Sequence, residues 1–89
     1  MKIDAFINDT VRAHNRTHPD IIISKSCISG RTSYFLYLED YDIWGIEELF
    51  LYRYLYERLS QERIYPIIQL SMIEGVQKIG IAIEVNPLL

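Results

Sequence analysis

The reading of the fold turns on the stretch Pro66-Ile67-Ile68-Gln69-Leu70-Ser71-Met72-Ile73, Glu74-Gly75-Val76-Gln77, Lys78-Ile79-Gly80-Ile81-Ala82-Ile83-Glu84-Val85. In its last run Ile79, Ile81, Ile83 and Val85 alternate with Lys78, Gly80, Ala82 and Glu84. Strict period two sends the two sets to opposite faces of a strand. The run Pro66–Ile73 precedes it, and Glu74-Gly75-Val76-Gln77 is a turn signal between them. A β-hairpin is therefore expected, with the isoleucines turned toward a covering layer. Ile68, Leu70 and Met72 point the same way.

Working backward, Asp20–Ser29 and Thr32–Asp40 are rich in Ile, Tyr and Phe and are parted by Ser29-Gly30-Arg31, which predicts a second hairpin. Its inward set is Tyr34, Leu36, Leu38, Ile23, Lys25 and Cys27. Lys25 is expected at a sheet edge, stem on apolar surface and ammonium in water. Cys27, in mid-strand, is expected to be a buried and inert packing residue. The opposite face carries Ile22, Ser24, Ser26, Ile28, Phe35, Tyr37, Ile67, Gln69, Ser71, Gly80 and Ala82, too little charge for an ordinary wet surface.

A helix precedes each hairpin. Ile3, Phe6, Ile7, Thr10, Val11 and His14 recur at helical spacing over residues 3–17, and Pro19 stops that helix. A second helix is expected to begin near Asp42–Gly45, with Asp42 as its N-cap and Glu47 and Glu48 favoured by the dipole in its first turn. It should end before Tyr65-Pro66. The order is αββαββ, an α+β domain with a four-stranded antiparallel sheet and both helices on one face. A shift of 45 residues aligns Ile22 with Ile67, Ser26 with Ser71, Gly30 with Gly75 and Leu36 with Ile81. The helices align at a shift of 43. An internal duplication, units 1–41 and 42–89, is one explanation of these matches, and shared β-composition is the other.

Eighty-nine residues suffice for one domain only. The composition, 49% hydrophobic and 24% charged, excludes a disordered or low-complexity chain. One cysteine excludes an intrachain disulfide and a thiolate zinc site. Apolar runs are far shorter than the ~18 residues of a membrane span, and the start lacks a signal-peptide pattern. A cytoplasmic protein without a membrane is expected. The net charge of −3 divides into +2 over residues 1–33 and −5 over residues 34–89. That overall balance disfavours a protein built to grip phosphates.

The second helix holds the main candidate surface. Between Leu49 and Tyr56 only Arg53 is charged, so apolar groups surround most of the axis, whereas a sheet covers a stripe about 100° wide. Trp44, Phe50, Tyr52, Tyr54 and Tyr56 are the expected partner-binding residues of a non-catalytic interaction module or adaptor, acting as a homodimer. The alternative is a single-stranded nucleic-acid binder using Arg12, Arg16, Arg31, Phe35 and Tyr37. A ligand binder or small enzyme at a dimer seam would need Asp40, Asp42, His14 or Cys27 around one cleft. His14 and His18 are four apart, but Pro19 spoils their helical spacing as metal ligands, and Arg16 would repel a dication. No catalytic residue, metal ligand or cofactor site is assigned from the sequence.

Overall fold

The computed structural model describes residues 1–39 and 44–86. Helix α1 spans Ile3–Asn15, strands β1 and β2 span Ile21–Ile28 and Arg31–Leu38, helix α2 spans Ile46–Leu59, and strands β3 and β4 span Ile67–Ile73 and Val76–Val85. A short 3-10 turn, Ser60–Glu62, extends α2. The fold is α+β, with one four-stranded antiparallel sheet in the order β1-β2-β4-β3. The two hairpins thus join through their second strands, leaving β1 and β3 as the edges.

Both hairpins turn on two residues with positive φ, Ser29 and Gly30 at 53° and 77°, Glu74 and Gly75 at 50° and 81°. These are the values a type I′ turn needs, and its twist matches that of the flanking strands. Each turn is tighter than the sequence suggests, because Arg31 and Val76 already belong to the strands. In the centre of the sheet Leu36 pairs with Ile81, the two residues that the 45-residue shift equates. The two extra residues of the second half fall between helix and hairpin, where the 3-10 turn lies.

The core joins Ile7 and Val11 of α1, Leu51, Leu55 and Leu59 of α2, and the inward residues Tyr34, Leu36, Leu38, Ile81 and Ile83 of β2 and β4. Both helices therefore lie against the same sheet face. Asn15 ties α1 to β1: its Nδ2 donates to the Ile21 carbonyl at 3.0 Å, and its Oδ1 accepts from the Ile21 N–H at 2.7 Å. That pair ends α1 two residues earlier than the sequence pattern suggests.

The start of α2 differs from expectation. Gly45 is its N-cap, and Glu48 reaches back so that its Oε1 accepts from the Gly45 N–H at 3.3 Å. Glycine has no side chain to return the reciprocal bond of a capping box. Asp40 and Asp42 lie outside the described residues. Among the described residues, no helix is long and apolar enough to cross a membrane.

Candidate interaction surface

The apolar girdle of α2 divides into three sectors. Leu51, Leu55 and Leu59 fill the core. Phe50 and Tyr54 flank the α1 side: both are exposed, the Tyr54 ring lies 6.0 Å from Phe6, and the Arg58 guanidinium sits over both rings at 5.6 and 5.9 Å. Tyr52 and Tyr56 flank the β3 side. The Tyr52 hydroxyl donates to the Pro66 carbonyl at 2.8 Å, while the Tyr56 ring packs between Tyr52 and Tyr65 at 6.1 and 6.0 Å. Trp44 is half-buried against the core and donates from Nε1 to the Ile79 carbonyl at 3.0 Å. Four of the five expected contact residues therefore form two separate patches on either side of the helix, and Trp44 stands apart from both, before α2 begins.

A larger apolar surface lies on β3. Ile68, Leu70 and Met72 face the helix side, as their alternation requires, yet they are 50%, 57% and 63% exposed. Their facing is as expected, but facing the helix layer does not bury them. A helix seated over β4 leaves the edge strand open, since packed helices lie 8–10 Å apart and strands about 4.8 Å. Ile79, opposite Leu70 on β4, and Leu49 on α2 are exposed as well. Leu49, Tyr52 and Tyr56 share one helical stripe, at spacings of three and four. That stripe reaches the start of β3 through Tyr52, whose hydroxyl bonds the Pro66 carbonyl, and Tyr56, whose ring packs on Tyr65.

The other edge is built differently. Lys25 sits on β1 with its ammonium 2.8 Å from Asp4 Oδ1 and 5.7 Å from the Tyr34 ring centre. The Tyr34 hydroxyl donates to the same carboxylate oxygen at 2.8 Å. Those two bonds, Lys25's first, hold the Asp4 carboxyl below its ordinary range. Burial, then the bond to Asp4, pushes Tyr34 up to about 12. Lys25 is at the edge as expected; the Asp4–Tyr34 bond was not legible, because it crosses 30 residues.

Cys27 is exposed, which corrects the expectation of a buried thiol. It lies at the hairpin end of β1, beyond the reach of α1, with its sulfur 3.9 Å from the Thr32 hydroxyl. His14 stands between the helices, its side chain 8% exposed and its Nε2 without a hydrogen-bond partner, 3.8 Å from Glu48 Oε2. Burial, then the neighbouring His18, lowers its pKa against the opposing pull of Glu48 and Glu47. His18 faces Glu47 at 3.6 Å, and the two imidazoles lie 4.8 Å apart. Among the described residues no group of three or more His, Cys, Asp or Glu is disposed to share a metal ion. His14 and Cys27 do not share a cleft. Six strand residues, roughly 20 Å, separate Cys27 from the Ile21 end of β1 near which α1 finishes.

The outer sheet face holds the residues expected there. Ile22, Tyr37, Gly80 and Gln69 make one cross-strand row, and Ser24, Phe35, Ala82 and Ile67 the next. Serines and Gln69 line an open concavity over it. Phe35 is only 8% exposed; it stacks on Tyr37 with ring centres 5.8 Å apart and lies against the bare backbone of Gly80. Arg31 is paired with Glu84 at 3.2 Å and Arg12 with Asp9 at 3.4 Å. Arg12 and Arg16 belong to the helix layer, across the sheet from Phe35 and Tyr37. The five nucleic-acid candidates are not brought together. Comparison with protein-family models, curated proteins and solved structures finds no match to this chain.

Proposed function

We propose that this chain is a small, non-catalytic protein-interaction module of the cytoplasm that acts as a homodimer. The observation that carries the proposal is the apolar surface of β3 and α2: Ile68, Leu70 and Met72 share one face of β3 with Ile79 opposite Leu70, Leu49 and Tyr56 share a stripe of α2, and all six are 41–63% exposed. Contiguous apolar patches of this kind mark contact sites more often than ordinary surface. Two of the carboxylates have structural roles, buried Glu48 as the cap of α2 and exposed Asp4 as the acceptor for Lys25 and Tyr34. An exposed, unpaired Cys27 fits a reducing compartment.

The same proposal takes residues 1–41 and 42–89 as copies of one helix–hairpin unit. Its support is that the two hairpins have equivalent registers, Ile28 opposite Arg31 and Ile73 opposite Val76, with like turns between. Sedimentation equilibrium at micromolar concentration tests the homodimer. Twice the chain mass of 10.5 kDa is expected, and a chain that stays at 10.5 kDa refutes it.

A further inference from the structure

The edge strand β3 has its own symmetry. Ile73 and Val76 flank a two-residue turn and so exchange both backbone hydrogen bonds, as does every second pair from there. Ser71, Gln69 and Ile67 thus direct their backbone groups toward β4. The N–H and C=O groups of Ile68, Leu70 and Met72 point away from the sheet, and among the described residues no strand pairs with them. Pro66, the next outward position, has no N–H to offer.

Read about Leu70, the strand is palindromic in character. Reversal sets Ile67 against Ile73, Ile68 against Met72, and Gln69 against Ser71. Apolar meets apolar and polar meets polar on both faces. No residue of β3 is charged. Natural edges are usually blunted by a lysine or another inward charge, as β1 is by Lys25, because a bare edge templates pairing.

Building on the homodimer proposed above, we infer that its interface is an antiparallel pairing of β3 with β3 of a second copy, about a two-fold axis through Leu70. All three outward residues of each strand then exchange backbone bonds, and the two sheets become one of eight strands. Ile68, Leu70 and Met72 of both copies form a shared floor, with the Leu49 and Tyr56 stripe of each α2 on the same side of the sheet. With Ile79, these residues expose roughly 600 Å² per copy, backbone included, against the ~800 Å² per partner of a standard interface. A second copy is favoured over a foreign strand because an isologous contact needs a self-complementary patch, which this strand is.

The test uses the whole chain. Leu70→Lys puts two ammonium groups together at the axis, on a side chain that is 57% exposed in the protomer, so the fold survives. The expected result is a mass of 10.5 kDa for Leu70→Lys with an unchanged far-ultraviolet spectrum, against twice that for the unmodified chain. In a Cys27→Ser background, a short bifunctional thiol reagent links Leu70→Cys copies, whose Cα atoms lie about 5.5 Å apart. It leaves Ile68→Cys copies unlinked, since those lie roughly 14 Å apart by strand rise. A dimer that persists in Leu70→Lys and dissociates in Phe50→Lys overturns the β3 interface and keeps the homodimer. Linking of Ile68→Cys without Leu70→Cys overturns the axis. An unmodified chain at 10.5 kDa overturns both, leaving the edge to a strand from another protein.

Discussion

Replacement of Gly80 by alanine probes how the outer sheet face is closed. In an unobstructed strand this change would gain about 0.5–1 kcal/mol, because alanine loses less backbone freedom on folding. At Gly80 a Cβ would stand 2.4 Å from the Leu36 carbonyl oxygen, 2.7 Å from Phe35 Cζ and 2.8 Å from Phe35 Cε1. The ring is 8% exposed and stacked on Tyr37, so it has little room to swing. The carbonyl is backbone of the neighbouring strand and is held by the ladder. Overpacking of this kind costs ~1–3 kcal/mol. With two obstacles, one rigid, the net loss is expected near 2 kcal/mol. For a chain of this length that lowers Tm by about 8–16 °C. Urea unfolding followed by circular dichroism should show a lower midpoint at unchanged slope. Adding Phe35→Leu relieves the ring contact but not the carbonyl, so it recovers only part of the loss. A Gly80→Ala midpoint equal to or above that of the unmodified chain refutes the reasoning. It would mean that Phe35 is not seated on Gly80, and would reopen Phe35 and Tyr37 as a stacking surface for bases.

Further outcomes concern the ionisable groups in and against the core. Tyr34, pushed up to about 12 from an ordinary 10.0, favours the protonated hydroxyl in the folded state. Its contribution is complete below pH 10 and is lost as pH rises toward 12. Tyr34→Phe should cost about 1.5–3 kcal/mol at neutral pH, the range for a bond to a charged acceptor, and flatten the alkaline decline in urea midpoints. An equally steep decline in the variant would refute this. His14 is a base whose pKa is lowered from 6.5, so the unfolded chain takes up its proton first and stability falls as pH drops through 6.5. His14→Leu should lessen that fall between pH 7 and pH 5, and proton magnetic resonance should show the imidazole of the folded chain titrating below 6.5. A midpoint at or above 6.5 would refute it.

Much of this molecule was legible because strand and helix periodicities are local. Period two sorted Ile22, Ser24, Phe35, Tyr37 and Gly80 onto one sheet face and Leu36, Ile81 and Ile83 onto the other, and the registers agree. The apolar surplus around α2 was visible too, since seven apolar residues crowd two turns. Its division into two patches was not, because that depends on where α1 and β3 lie beside the helix. Cys27 was misjudged for the same reason: alternation names a side of the strand, whereas burial needs a neighbour above it.

What the sequence determined alone is the αββαββ order, the two hairpins and the facing of each strand residue, all set by contacts within a few residues. Only the tertiary structure decided that the hairpins join through β2 and β4. That one choice makes β3 an edge and leaves Leu70 uncovered, while Lys25 guards the opposite edge through Asp4. Strand order is a matter of long-range pairing, where the closing of loops and the shape of the whole core compete. A pattern of alternating residues carries no trace of which strand will stand last.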